Sequence, residues 1–483
     1  MKVESQRKPS KANYTFERKV RVMKHVRWLS FFMLGMIVLL AAGCNAEPAQ
    51  EQTNANANVS DATNQEVNGN GSGADSGAAA ADEETLNEPV TLTFYSHYAG
   101  IVNDESMEAF FAPVQEQYPN ITIERMTGMN LDEAIAAGQV PDLIATSNVY
   151  VYDMIELGLA TDLSNVLSEE DWKRVHPGAI DVMKEFSENG EIYGVPYAMN
   201  YGVMVYNKGI FDRYGIDYPK AGMTFSESIE LGRQLTREED GFQIIGFDPG
   251  NSTSLTKTHS LQPVDLETGK ALLNTEPFQQ MFKIYEQVYR IPGFVSPEGK
   301  YSYGIDDFFK EQKLAMYPYW LVNITSRLLD PNYAAADLEW DFTSYPSPDG
   351  NPGHGREFDF HLMMVSPVTE QVEAAHQVVR YLTSIHFQTV MNNDTRLTIM
   401  QNPELRLQHA SNNGLYDDKD LAAVFAVEPS PVPKSTIYDN AVYSALNEAR
   451  KRIALEGIDV NTALREAAEQ ADKAIAEIKE GKG

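Results

Sequence analysis

The pattern of apolar and polar positions divides the chain into three stretches. An isolated apolar run, residues 28–40, lies between a basic segment and the small residues Ala41, Ala42 and Gly43. From Asn45 to about Asn87 the residues are Ala, Asn, Gly, Gln, Glu, Asp and Ser, with almost no large apolar side chain to offset the entropy of ordering. From about residue 89 the pattern becomes periodic. Val90, Leu92 and Phe94 alternate with polar residues and predict a half-buried strand. Met107, Phe110, Phe111 and Val114 keep helical spacing up to Pro119 and Asn120. Ile121-Thr122-Ile123 predicts a second strand, Leu131, Ala134 and Ile135 a helix before Gly138, and Leu143-Ile144-Ala145 a third strand. Strands alternating with helices predict an α/β fold on a largely parallel sheet, with ligand beyond the carboxyl ends of the strands. Those ends carry Tyr95-Ser96-His97-Tyr98 and Thr146-Ser147-Asn148. The C-terminal part predicts packing helices, with Ala445, Leu446, Ala449 and Ile453 on one face and Leu464, Ala467, Ala468, Ala471, Ile475 and Ile478 on another.

Charge separates the start of the chain from the rest. The formal net charge is −30, from 39 Lys and Arg against 69 Asp and Glu. Nine basic residues precede position 30, opposed there by Glu4 and Glu17, so the remainder stands at −37. A body this acidic repels a phosphate backbone, which excludes nucleic acid as a partner. Basic flank, apolar run and small residues describe a secretory signal over residues 1–43. A membrane span would need about 20 apolar residues, more than this run supplies. Gly69, Gly71 and Gly73 mimic a phosphate loop, but neither a strand before them nor an apolar helix after them supports one.

The single cysteine, Cys44, excludes an intrachain disulfide or a cysteine zinc site. Its place after Ala41-Ala42-Gly43 resembles a bacterial lipobox, with Ala41 where Leu is usual and Leu40 one place earlier. The resemblance implies cleavage before Cys44 and an acyl lipid on its thiol, which holds the protein on the extracytoplasmic face of the cell membrane. Residues 44–88 are then the lipidated cysteine and a tether. The alternative is a buried free thiol in an uncleaved anchor helix.

In the body, Ile192-Tyr193-Gly194-Val195-Pro196, Val205-Tyr206-Asn207-Lys208, Phe211, Gly215-Ile216, Pro219 and Thr224-Phe225-Ser226-Glu227 follow one another. Phe308-Phe309-Lys310-Glu311-Gln312-Lys313-Leu314-Ala315-Met316 comes later and runs on to Trp320. In this order the segments resemble the family 1 extracellular solute-binding proteins of ABC importers, the family of the maltose-binding protein. Phe225 stands where that family has Trp, and Gln312 where it has Gly. The resemblance implies two α/β lobes in the type II periplasmic-binding-protein arrangement, joined by hinge crossovers with the ligand between them. Placed on this chain, it implies one lobe from 89–203 and 357–405 and another from 204–356 and 406–483. It further implies a monomeric receptor, not an enzyme and without cofactor or metal. Such a receptor closes on a small ligand as far as the ligand favours the closed form, then delivers it to the transmembrane subunits of an ABC importer.

A sugar offers apolar C–H faces to aromatic rings and hydroxyls to Asp, Asn and backbone groups. The family element places Trp320 over the cleft, with Tyr319 and Tyr317 alternating beside it. Tyr95, His97 and Tyr98 stand at the end of the first predicted strand, and Asn148 and Tyr150 after the third. His97 is expected to be a neutral hydrogen-bonding group rather than a base or metal ligand. Tyr197, Asn200 and Tyr201 lie where the family lines its hinge side. Asp359, beside Glu357 and Phe358 at the return crossover, could take two sugar hydroxyls. Asp142 is expected to be a structural cap.

Two other readings compete. An anchored glycoside hydrolase would use paired carboxylates, but 67 acidic residues beyond position 30 make chance pairs inevitable. The esterase motif Gly-x-Ser-x-Gly and the zinc-protease motif His-Glu-x-x-His are both missing from the sequence. The same binding fold could instead carry an amino-acid derivative, a polyamine or a metal complex. The expected cleft segments hold no arginine except Arg356 at their edge, which favours a neutral or cationic ligand and, first among these, an oligosaccharide.

Overall fold

The computed structural model describes residues 88–239, 241–330 and 338–481. The expected signal segment, Cys44 and the expected tether up to residue 87 lie outside the described residues. The strands are β1 (Val90–Ser96), β2 (Ile121–Arg125), β3 (Leu143–Ser147), β4 (Val195–Asn200), β5 (Gly202–Asn207), β6 (Arg237–Glu239), β7 (Phe242–Phe247), β8 (Leu314–Trp320), β9 (Trp340–Ser344), β10 (His354–Glu357), β11 (Asp359–Val365) and β12 (Glu428–Ser430). They form two five-stranded sheets, ordered β2-β1-β3-β11-β4 and β6-β7-β8-β5-β9, and a ribbon of β10 with β12. Each large sheet anchors one of two α/β lobes.

Local sequence explains several of the elements. In β1, Leu92 and Phe94 are fully buried while their neighbours are not, the alternation of a strand with one core face. The helix Asp104–Gln117 starts on a capping box between Asn103 and Ser106 and buries Phe110, Phe111 and Val114. Asn130 and Glu133 cap the helix Leu131–Ala136 in the same way, and Thr224 with Glu227 the helix Phe225–Leu235. The long helices Asp439–Glu456 and Val460–Gly481 pack on each other and on the helix Glu276–Tyr289.

The first sheet is less parallel than its pattern predicts. β1 pairs in parallel with β2 and β3, but β11 runs antiparallel to both β3 and β4. The reason is the route of the chain. β11 follows directly on β10, so it enters the sheet at the edge where β3 and β4 end and must run back against them.

The same route brings the two sheets edge to edge. β4 ends at Asn200 in the first sheet, and β5 begins at Gly202 in the second, so Tyr201 alone separates them. In the second sheet Gly202 pairs with Trp320 at the end of β8, and Val203 with Ser344 at the end of β9. The ends of β1, β3 and β4 therefore face the ends of β8 and β9 across the crossover. A second crossover passes through Phe358, between β10 and β11.

These two crossovers are clamped. Tyr201 is 2% exposed, its hydroxyl donates to the Val427 carbonyl at 2.6 Å, and its ring meets Phe425 edge-on at 5.0 Å. The Phe358 amide donates to the Ser430 carbonyl at 3.0 Å, and the Phe358 carbonyl accepts from Asn148 Nδ2 at 3.4 Å. Gly202 has no room for a side chain: a Cβ there would stand 2.5 Å from Arg356 Cβ and 2.9 Å from the Tyr345 ring. Among the described residues no helix is long and apolar enough to cross a membrane.

Candidate functional site

On the first-lobe edge, the turn after β1 presents His97 and Tyr98. Tyr98 has φ +57 and is 70% exposed, and its ring stacks on Tyr150 at 4.8 Å with 22° between the planes. His97 stands edge-on to both rings, at 4.6 and 5.0 Å, and its Nδ1 lies 3.2 Å from Thr146 Oγ1. Burial holds the His97 imidazole below its ordinary pKa, with the Asp153 carboxylate pulling the other way, so the ring is neutral at pH 7. Burial raises the Tyr150 phenol, and the nearby Tyr98, Asp153 and Asp359 add to the effect. A pocket of about 880 Å³ beside this cluster is lined by Tyr95, His97, Tyr98, Asp132, Asp153 and Glu156, among others.

Between this cluster and the crossovers lies Asp359, half-buried at the start of β11. It accepts from Ser147 Oγ at 3.2 Å and from Asn200 Nδ2 at 3.3 Å. The Asn200 Oδ1 is filled, because it accepts from the Tyr201 amide at 3.0 Å and the Val322 amide at 3.3 Å. Asn148, 2% exposed, spends its amide group on the Phe358 carbonyl and the Phe360 amide. Asn148, Asn200 and Tyr201 thus tie the crossovers together rather than present free polar groups. Tyr197 is 1% exposed and packs edge-on to Phe110 at 4.9 Å, in the core behind the first sheet. It does not join the cluster. Asp142 bonds the Thr93 amide and hydroxyl, both at 2.7 Å, on the opposite end of the strands.

On the second-lobe edge, Trp320 ends β8 and is half-buried. The Arg356 guanidinium lies 3.8 Å over its ring. Arg356 is held in turn by Ser254 Oγ at 2.8 Å and by the Glu357 carboxylate at 3.3 Å. Tyr319 and Tyr317 alternate along β8 with their rings 5.3 Å apart. Burial pushes the Tyr317 phenol well above its ordinary value.

A cavity of about 410 Å³ has walls from both lobes: Asn103, Ser106, Phe110 and Arg396 on one side, Val322, Thr325, Ser326 and Leu329 on the other. A narrower space of about 20 Å³ adjoins it, lined by Asn200, Leu321, His361, Arg396 and His409. Sequence reasoning missed Arg396 and Ser254, noted Ser147 only as part of a strand end, and saw Arg356 only as an edge residue. No local motif marks Arg396, which follows the helix Ile385–Asp394 in an ordinary polar turn. Among the described residues no three His, Cys, Asp or Glu side chains group as metal ligands. The arrangement offers aromatic faces and hydrogen-bonding groups on two facing edges, which suits reversible capture of a ligand.

Comparison with known proteins agrees with this architecture. The family described as bacterial extracellular solute-binding protein matches residues 99–385. A Brucella abortus chain described as a binding protein is 23% identical over 374 residues, covering 73% of this chain and 84% of its own length. Among solved structures, an ABC substrate-binding protein from Listeria monocytogenes in complex with cycloalternan has a TM-score of 0.62 at 17% identity, over 80% of this chain and 100% of that one. The sugar-binding protein MalE from Xanthomonas citri has a TM-score of 0.62 at 15% identity, over 81% of this chain and 98% of that one.

Proposed function

This chain belongs to the bacterial extracellular solute-binding proteins, and from that premise we propose that it is a carbohydrate receptor of an ABC importer. Tethered to the outer face of the membrane by lipid on Cys44, it captures an oligosaccharide between its lobes and releases it unaltered to the importer's transmembrane subunits.

One observation carries the proposal. The stacked Tyr98 and Tyr150 rings, with Asp359 near Tyr150, stand at the strand ends of the first sheet, and Trp320 ends β8 beside Gly202 in the second. Aromatic faces cover the C–H faces of a sugar, and a carboxylate that already accepts two bonds keeps lone pairs for hydroxyl donors. Tyr95 and Tyr319, half-buried beside these groups, extend the two walls. Ligand that touches both lobes favours the closed arrangement by its contacts to the second lobe. The sugar-binding character of the Xanthomonas structure supports the same cargo.

Thermal unfolding against di- to hexasaccharides, amino acids, polyamines and metal salts tests this. Saccharide at 100 times its dissociation constant adds roughly 2.7 kcal/mol and raises the midpoint. Recovery of unaltered sugar afterwards separates capture from hydrolysis. No shift with any saccharide overturns the reading.

A cationic solute is the second reading, favoured by the carboxylates of Asp132, Asp153 and Glu156 around the pocket that His97 and Tyr98 share. A shift with polyamines alone would select it.

A further inference from the structure

We propose that Arg396 is a positioning residue, which fixes the Tyr98 ring as a ligand platform without itself touching ligand. The inference rests on the carbohydrate reading of the cleft.

The turn after β1 is an awkward one. Tyr98 has φ +57 and Gly100 φ +72, so two of three consecutive residues are left-handed. Glycine adopts that conformation freely; an aromatic residue does so only under strain, because its Cβ crowds the following carbonyl oxygen. The turn also carries the carbonyls of Ala99 and Gly100 outside any strand or helix. Something must hold it.

Arg396 does. Its Nη1 donates to the Ala99 carbonyl and its Nη2 to the Gly100 carbonyl, each at 3.2 Å. The planar guanidinium matches two successive carbonyls as a fork, a geometry that the single ammonium of lysine cannot copy. The guanidinium also lies over the Phe110 ring at 5.2 Å, and Phe110 is 1% exposed in the core of the first lobe. The turn is therefore bolted to the core through Arg396. Its far side is pinned where the Ile101 amide donates to Ser96 Oγ at 3.3 Å. With both carbonyls held, the Tyr98 ring is left on Tyr150 rather than free to swing.

A double-mutant cycle and hydrogen exchange test the proposal. Without any ligand, Arg396→Met speeds amide exchange at residues 98–103 about tenfold, while Arg396→Lys recovers part of the protection. Unchanged exchange there overturns the proposal, as does a loss spread evenly over the whole first lobe. In binding, maltotriose and mannotriose serve as probes. Tyr98→Ala and Arg396→Met each weaken the better-bound probe about tenfold, and the double variant binds no worse than Tyr98→Ala alone. Additive losses, about a hundredfold in the double variant, would make Arg396 a direct ligand contact and overturn the positioning role. If the wild-type protein binds neither trisaccharide, the cargo assignment loses that class, and the exchange result still decides the role of Arg396.

Discussion

At the scale of single residues, arginine governs the aromatic groups on both edges. Arg356 occupies one face of Trp320, so only the other face is open to a sugar ring. Trp320→Ala should weaken saccharide binding by about 2 kcal/mol or more with the fold intact, as read by calorimetry. Wild-type affinity in that variant would remove Trp320 from the cleft. Arg356 also balances the Glu357 carboxylate, and the two side chains are only 11% and 7% exposed. Arg356→Ala leaves that carboxylate buried without its cation. Urea unfolding should show a loss of about 3 kcal/mol or more, and a loss below 1 kcal/mol would mean water reaches Glu357. The tyrosines show how far a sequence reaches. Tyr98, at the end of the first predicted strand, and Tyr197, where the family lines its hinge side, are both expected at the ligand. All six residues of β4 are buried, so no alternation marks which side Tyr197 takes, and it goes into the core.

At the scale of elements, legibility follows length and periodicity. The strands β1 and β2 and the helix Asp104–Gln117 have one buried face each, and their spacing reveals them, whereas β3 is buried on both faces and shows as a short apolar run. The ribbon strands β10 and β12, with four and three residues, are too short to carry a period. The direction of β11 was unreadable for another reason: it depends on the edge at which the chain arrives, which no local pattern encodes. Two substitutions probe the elements. Thr224→Ala removes the capping box of the helix Phe225–Leu235 and should cost about 1 kcal/mol in unfolding free energy. Gly202→Ala forces a methyl group against Arg356 and Tyr345 and should cost about 1–3 kcal/mol. A neutral result would show that the first crossover can shift to make room.

At the scale of the molecule, buried histidines couple the fold to pH. Burial and the Arg396 charge hold His361 down to about 3, and burial alone holds His409 down to about 4. An unfolded chain takes up these protons near pH 6.5, whereas the folded chain refuses them. Stability is therefore full above about pH 7 and falls as pH drops from 6.5 towards 4. Asp248 and Asp439, raised by burial, act in the opposite sense. The informative measurement is thus the melting temperature of His409→Gln beside wild type between pH 7.5 and 4.5. The variant should lose less on acidification; equal slopes would exclude His409. Arg396 belongs to this scale too, because it meets Ala99 from 297 positions along the chain, a distance over which neighbouring residues carry no information.

The single residue between β4 and β5 has a mechanical consequence. Two peptide units, at most about 7 Å between the α-carbons of Asn200 and Gly202, allow torsion but little translation. In the closure proposed above, the lobes swing like the arms of a nutcracker, and displacement grows with distance from the pivot. A cargo lodged beside Asp359, next to Asn200, feels little travel from the opposing arm, while one that extends outward to Tyr98 and beyond sits where the stroke is longest. The length of the cargo then sets how much work the jaw can do on it.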